Sequence, residues 1–412
     1  MAALAIWCKE DGEAQMMLAH KIRLVPTKAQ EDYFRRACGT ARFAYNWALA
    51  EWKRRYEAGE KPDGYSLHKA FNAVRREKFP WTYDVSKDCT AQPFANLDRA
   101  FQLLFKKVMK YPRFKKKGGK DSFYASNAKT HFDGKRVKLP VIGWVRLREP
   151  LRFAGKLMCS VIVREADAWY ISAKVELGDY HRERTGDGVV GADLGLTTLV
   201  TLSTGEKIEG PKAMKKAQRK MVRLQRSLAR KVKGSANYAK AKMKLSRAHA
   251  RVAHIRSDAL HKLTTRFCRE NQTVGMESLN AEGMLRNHYI SGAVRDAAFG
   301  EICKMMIYKS DIFRTDLRFA DRFYPSSKTC SCCGAVKDSL SWDERTFKCD
   351  SCGVEMDRDV NAAVNLSRLP RGTGNVKPVE RKALTKTPRR RRETGLGEAG
   401  SCEGRVRHAP VV

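Results

Sequence analysis

The sequence is short of acidic residues and has no long hydrophobic run. None of its apolar stretches approaches the roughly 20 residues that a membrane-spanning helix requires, so we expect no membrane association. The first residues, MAALAIWCKEDGEAQMM, lack the basic and long apolar segments of a secretory signal peptide. HExxH, P-loop, nucleophile-elbow and His-x-His motifs are also absent, which argues against the hydrolases and transposases that depend on them.

The shortage of acids leaves a large positive charge. The 412 residues include 81 Lys and Arg but only 45 Asp and Glu, a formal net charge of +36. Solubility needs far less charge, so the surplus predicts a polyanionic partner, and nucleic acid fits better than an anionic membrane surface. The imbalance is steepest at residues 211–271, where a predicted helical hairpin turning near Gly234 carries 19 basic residues and two acids. A solvated helix face is the simpler alternative, but so long an excess favours a nucleic-acid surface.

Cysteine occurs at twelve positions, and five of these lie in one cluster. Two CxxC pairs, Cys330 with Cys333 and Cys349 with Cys352, are separated by fifteen residues. Four thiolates at this spacing can surround one zinc ion tetrahedrally, so we predict a structural zinc ribbon over about residues 326–355. Cys332 does not fit the CxxC spacing and is predicted not to be a ligand. The other seven cysteines are scattered singly, which is typical of a reducing cytosol rather than of a disulfide framework.

Directly after the second pair, residues 357–365 (DRDVNAAVN) have the pattern of a helix N-terminus. Acidic side chains are favourable there because the first N–H groups and the helix dipole attract negative charge. Asp359 shares a helix face with Ala362, Ala363 and Leu366, which suits a helix pressed against a sheet with its acid at the rim. Taken alone, the segment could equally be an acidic helix cap with no catalytic role.

The pattern along the rest of the chain predicts two lobes. An early strand is followed by a capping box of Thr27 and Gln30 and by helices, the first two broken near Gly39. From residue 122 to 177 the pattern changes to short alternating runs, which indicate a small antiparallel barrel. A polar linker then leads into the second lobe.

Three carboxylates distinguish the second lobe. Asp193 lies in an apolar strand, Glu277 ends a later strand, and Asp359 begins the helix described above. A carboxylate in an apolar strand is costly unless it is paired or functional, and three together would repel one another without a cation. Magnesium favours such oxygen ligands, and two Mg²⁺ ions about 4 Å apart catalyse phosphodiester hydrolysis. The three acids therefore predict a two-magnesium nuclease site.

Four segments in this order, GADLGLTTLVTLSTGE, VGMESLN, FYPSSKTCSCCG and DRDVNAAVN, resemble the TnpB (OrfB) proteins of bacterial insertion sequences. RFAYNWALA and YPRFKKKGGKDSF in the first lobe are also similar to that family. The resemblance implies an α+β multidomain protein, in which a wedge-type β-barrel with inserted recognition helices precedes a RuvC-like (RNase H-like) nuclease domain interrupted by a zinc ribbon. It also implies that the Mg²⁺ ligands are Asp193, Glu277 and Asp359, and that the Zn²⁺ ligands are Cys330, Cys333, Cys349 and Cys352.

With these expectations the chain divides into four parts. They are an N-terminal extension (1–16), the wedge barrel (17–180) with its recognition helices (about 28–118), the nuclease domain (181–369) with its basic hairpin and ribbon, and a disordered basic tail (370–412).

The resemblance implies a function as well. We expect a cytoplasmic, nucleoid-associated protein that binds a guide RNA from the element's end as a monomeric ribonucleoprotein and cleaves double-stranded DNA beside a short adjacent motif. Two alternatives stay open. A guided DNA-binding regulator without cleavage would have lost acids of the triad, and this sequence keeps all three. A transposase that joins strands itself also uses acidic triads, but the interrupted order and the large basic first lobe argue against it.

Overall fold

The first lobe is built on an antiparallel sheet. The computed structural model describes residues 6–10, 13–341 and 343–372. Eight strands form the sheet: β1 (Ile6–Glu10), β2 (Glu13–Val25), β3 (Ser122–Ser126), β4 (His131–Asp133), β5 (Arg136–Leu139), β6 (Gly143–Leu147), β7 (Lys156–Glu165) and β8 (Ala168–Glu176). They pair in the order β3-β7-β8-β2-β6-β5-β4, with β1 beside the first half of β2. The predicted N-terminal extension therefore contributes β1 and the start of β2.

Burial of every second residue identifies the inner face of this sheet. In β8, Trp169, Ile171, Ala173 and Val175 are buried and alternate with partly exposed residues.

The path of paired strands ends at β3 and β4, which the chain joins through the short turn Asn127–Lys129. Closure of the sheet into a barrel stays a prediction.

Three helices lie between β2 and β3 in the chain: α1 (Lys28–Glu57), α2 (Gly64–Lys78) and α3 (Asp88–Phe105). The capping box of Thr27 and Gln30 is confirmed at the start of α1. The helices enclose an aromatic core of their own, in which Trp52 stacks on Phe101 with ring centroids 3.9 Å apart. This aromatic contact joins α1 to α3.

The predicted break near Gly39 was wrong, because α1 continues through that residue. A glycine inside a helix costs only about 1 kcal/mol relative to alanine. On either side of Gly39, the small side chains of Ala37, Ala41, Ala44 and Ala48 continue one buried face. Burial of that face along the whole helix outweighs the local cost.

The second lobe contains a mixed five-stranded sheet: β9 (Gly188–Leu194), β10 (Val200–Leu202), β11 (Lys207–Ile208), β12 (Asn271–Glu277) and β13 (Asp316–Ala320). Their order is β11-β10-β9-β12-β13. The first three pair antiparallel, whereas β9, β12 and β13 pair in parallel. The parallel strands place their carboxyl ends at the same edge of the sheet.

Helices α4 (Ala213–Ala229) and α5 (Ala236–Glu270) form the predicted basic hairpin, and Gly234 in the turn has a φ of +94°. Ser235 caps α5 by accepting a hydrogen bond from the N–H of Tyr238. Two short helices, α6 (Ala281–Met284) and α7 (Ser291–Ala297), precede α8 (Phe299–Phe313). One face of the sheet packs on α5 and α8 through a core that includes Phe267, Ile302 and Met306.

A small hairpin of β14 (Thr346–Lys348) and β15 (Glu355–Asp357) follows β13, and α9 (Arg358–Ser367) comes directly after it. Of the predicted disordered tail, residues 373–412 lie outside the described residues. None of the described helices is both long enough and apolar enough to span a membrane.

Candidate carboxylate and cysteine sites

Asp193 and Glu277 lie at the carboxyl ends of two neighbouring parallel strands. In the β9–β12 pair, Gly191 lies opposite Gly275 and Ala192 lies opposite Met276, so the acids are the next residues along each strand. Ala192 and Met276 point into the core shared with α5 and α8. Because side chains alternate along a strand, both acids project from the opposite face of the sheet.

Helix α9 packs on that opposite face, and two glycines allow it to come close. A Cβ atom built on Gly191 would lie 1.8 Å from the carbonyl oxygen of Ala363, and one built on Gly275 would lie 1.9 Å from that of Leu366. Only glycine permits such an approach between backbones. The same helix carries Asp359 in its first turn, close enough to Asp193 for the two charges to interact.

The structure separates the roles of the two acids at the start of α9. Asp357 is the N-cap, and its carboxylate accepts hydrogen bonds from the N–H groups of Asp359 and Val360, both at 3.1 Å. The same carboxylate pairs with the Lys207 ammonium at 2.7 Å. Partial burial favours a higher pKa for Asp357, but the contacts with Lys207 and the two N–H groups outweigh burial and lower the pKa. Asp357 is thus the capping residue. Its carboxylate and that of Asp359 both act on Asp193, and the effect of Asp359 is the larger.

The three predicted acids share one electrostatic environment. Burial raises the pKa of Asp193 to about 8. The carboxylates of Glu277, Asp359 and, least, Asp357 add to the shift, whereas Arg358 opposes it. Their oxygens are not gathered as tightly as those of a preformed chelate, because the cysteine cluster is the only set of three or more metal-binding side chains in the described chain whose donor atoms all lie within 4.8 Å. The arrangement is a crowded anionic site that a divalent cation would relieve.

The cysteine site matches the prediction from spacing. The ligand atoms of Cys330, Cys333, Cys349 and Cys352 all lie within 4.8 Å of one another, and Cys332 is outside the group. Each CxxC loop closes with a hydrogen bond from a glycine N–H to the carbonyl of its first cysteine, at 3.0 Å in both loops. The four thiols act on one another: backbone N–H groups lower the pKa of Cys349 to about 6, whereas burial and the neighbouring thiols raise that of Cys352 to about 12 despite a backbone hydrogen bond. Four sulfurs in this arrangement fit a closed zinc site.

Two buried asparagines of α9 connect the helix to the start of the ribbon, and sequence reasoning gave them no role. Asn361 donates to the carbonyl of Thr329 at 2.8 Å and accepts from the N–H of Ser331 at 2.9 Å. Asn365 donates to the carbonyls of Ser326 at 2.9 Å and Thr329 at 2.7 Å. The sequence shows that the two asparagines share a helix face, but it does not show which groups they bind.

The basic hairpin presents one row of arginines to solvent. These residues recur at helical spacing along α4, are exposed, and form no ion pair within the described part of the chain: Arg219, Arg223, Arg226 and Arg230. Unpaired guanidinium groups in a row are suited to contacts with successive phosphates.

Comparisons with known proteins cover most of the described chain. A family model described as a probable transposase, OrfB of the IS605 type, matches residues 172–288. A Cas12f1-like TNB domain model matches residues 299–366, and a helix-turn-helix domain model matches residues 16–61. A protein named as an RNA-guided DNA endonuclease in Streptomyces pristinaespiralis is 37% identical over 362 residues, covering 85% of this chain and 89% of the relative. The chain belongs to the TnpB (OrfB) family.

Another relative, named as the RNA-guided DNA endonuclease InsQ of Escherichia coli, is 31% identical over 366 residues, covering 84% of this chain and 91% of InsQ. Among solved structures, the chain is similar to Cas12f1 in its complex with a single-guide RNA and target DNA, with a TM-score of 0.52 and 83% of both chains covered. At 13% identity this likeness shows a shared fold alone. The helix-turn-helix model spans β2 and α1, where this member of the TnpB family has one uninterrupted helix.

Proposed function

We propose that this chain is an RNA-guided DNA endonuclease of an insertion sequence. The observation that carries the proposal is the crowding of Asp193, Glu277 and Asp359 at one edge of the second sheet, in a member of the TnpB family. The strand order supports a RuvC-like domain of the RNase H type, because three antiparallel strands adjoin two parallel ones and the acids lie at the carboxyl ends of β9 and β12.

The three acids fit magnesium because they offer hard oxygen ligands on rigid elements. Asp193, Glu277 and Asp359 would hold two Mg²⁺ ions, which when bound activate a water nucleophile and stabilise the leaving oxygen of a phosphodiester. The protein's own part is to fix the positions of the carboxylates. Two of them extend from paired strands, and the third is carried by a helix that the glycines Gly191 and Gly275 admit to the sheet.

The four cysteines would hold one Zn²⁺ ion with a structural role. Four sulfur ligands leave no open coordination position, so this site has no place for a substrate. The ribbon lies between β13 and α9 in the chain. Folding of the ribbon around zinc would therefore fix the direction in which the chain enters α9.

Charge supports the nucleic-acid partners. The net charge of +36 and the arginine row of α4 suit contacts with phosphates. Such contacts do not distinguish one nucleotide sequence from another. Selection of a target would then depend on pairing between a guide RNA and one DNA strand, while side chains read only a short duplex motif beside it. We propose that the protein acts as a monomeric ribonucleoprotein on double-stranded DNA in the nucleoid.

The test is cleavage of a plasmid by protein purified from cells that carry the native locus. We expect one discrete copurifying RNA, and Mg²⁺-dependent double-strand cleavage that follows any redesign of its guide segment. Asp193→Ala, Glu277→Ala and Asp359→Ala should each abolish cleavage while DNA binding stays within a few-fold, because affinity comes from phosphate contacts and base pairing. Cleavage that survives removal of RNA and ignores the guide would refute the proposal. Guided binding that leaves both strands whole in the unaltered protein would favour a regulator instead.

A further inference from the structure

Ser326 connects the ribbon to the carboxylate site. It lies in the segment between β13 and the first cysteine loop, and only 3% of its surface is exposed. Its hydroxyl donates a hydrogen bond to Oε1 of Glu277, a residue 49 positions earlier in the chain. A hydroxyl in such a segment usually bonds to nearby backbone, as that of Thr329 does to the carbonyl of Pro325 at 2.8 Å. The Ser326 hydroxyl reaches across the fold instead.

The backbone of Ser326 is held in place independently of Glu277. Asn365 donates to its carbonyl oxygen, and the same amide group also donates to the carbonyl of Thr329. Asn361 holds the next part of the segment at Thr329 and Ser331. Both asparagines are at most 5% exposed. The hydroxyl of Ser326 is therefore presented to Glu277 by a buried polar network that extends from α9 to the first cysteine loop.

We propose that Ser326 is a positioning residue for Glu277, and that the network from Asn365 through Ser326 transmits the folded state of the ribbon to the carboxylate site. This inference rests on the proposed nuclease function. The hydrogen bond fixes one carboxylate oxygen of Glu277 and so selects the rotamer that offers the other to a cation. Hydrogen-bond partners of metal ligands act in this way, and their loss typically costs 10–100-fold in metal affinity or activity.

The experiment compares Ser326→Ala with Ser327→Ala in the complete ribonucleoprotein. Ser327 is the adjacent residue, is only partly buried, and its hydroxyl has no hydrogen bond within the described residues, so its loss should change nothing. We expect Ser326→Ala to raise the Mg²⁺ concentration for half-maximal cleavage about tenfold, with most of the maximal rate recovered at saturating Mg²⁺. Ser326→Thr, which keeps the hydroxyl, should restore the low requirement for Mg²⁺.

A second measurement does not depend on DNA cleavage. Fe²⁺ in place of Mg²⁺, with ascorbate and peroxide, cuts a polypeptide near the bound metal. In the ribonucleoprotein we expect cuts near Asp193 and Glu277, no such cuts in Glu277→Ala, and cuts in Ser326→Ala only at about tenfold higher Fe²⁺. If the chain cleaves no DNA at all, the proposed function fails, yet this assay still reports whether Ser326 positions Glu277.

Two results would overturn the inference. One is an unchanged metal requirement of Ser326→Ala in both assays. The other is loss of zinc or of guided DNA binding in that variant, since either would show that Ser326 serves only the folding of the ribbon.

Discussion

The close packing of α9 on the sheet makes a sharp prediction about two glycines. Gly191→Ala or Gly275→Ala would place a methyl group 1.8 or 1.9 Å from a backbone oxygen of α9, whereas Cβ atoms essentially never approach another heavy atom within 3.0 Å. The helix must therefore retreat by more than about 1 Å, because backbone cannot rotate aside as a flexible side chain can. Overpacking of this kind costs about 1–3 kcal/mol or more. A displacement of 1 Å at a catalytic group can cost about 100-fold in rate.

We therefore expect both variants to lower the Tm by several degrees, at roughly 2–4 °C per kcal/mol, and to reduce guided cleavage about 100-fold. Zinc content and guided DNA binding should stay near normal, because neither depends on the distance between α9 and the sheet. Gly39→Ala is the matched control. A Cβ there meets nothing within 4 Å and lies inside α1, so it should stabilise the protein by about 0.5–1 kcal/mol and leave cleavage unchanged.

Normal Tm and normal cleavage in Gly275→Ala would show that α9 does not lie against β12 as described. Cleavage lost in Gly39→Ala as well would show that the assay responds to any glycine substitution and not to the contact distance.

Three further predictions concern the start of α9, the ribbon and the buried acid. Asp357→Asn keeps a good helix cap and should retain most cleavage, whereas Asp359→Asn should abolish it; the opposite result in the plasmid assay would reverse their assignment. Cys349→Ser should lose the one bound zinc per chain, worth roughly 10–16 kcal/mol in small zinc sites, and with it cleavage, whereas Cys332→Ser should keep both in metal analysis and plasmid cleavage. In EDTA, Asp193 keeps its proton in the folded state up to about pH 8, whereas the unfolded chain releases it near pH 4. The contribution of Asp193 to the free energy of unfolding therefore falls as the pH rises from about 4 to about 8. Asp193→Asn should therefore raise the Tm more at pH 8 than at pH 5, by the equivalent of about 2–5 kcal/mol, and an equal Tm difference at both pH values would contradict the shift.

The features that the sequence predicted correctly are those with local chemistry. The spacing of the four cysteines specifies a cluster without knowledge of the fold, and the structure brings together the predicted four and excludes Cys332. The helical period placed Asp359 on one face with Ala362, Ala363 and Leu366, and all three apolar residues are buried. The basic hairpin and its turn were predictable because charge excess and a glycine turn are also local properties.

The missed features depend on contacts between distant segments. Gly191 and Gly275 each stand two residues before an acid, but only the strand register places them opposite each other beneath α9. Ser326 resembles any serine in a loop until the fold brings Glu277 to it. Gly39 was misread for the same reason, since tertiary burial of the alanine face overrides a weak local preference.

The position of α9 in the chain has a consequence for protein synthesis. A ribosome adds about 5–20 residues per second from the N-terminus, so the arginine row and both strand acids leave it before Asp359 is made. A nascent chain can thus present its arginine row while α9 does not yet cover Gly191 and Gly275. Any message that ends before codon 359 would yield a product that lacks the third acid. With the proposed site, placing the last acid beyond the ribbon would delay DNA cutting until Asp359 has been translated and α9 has packed on the sheet.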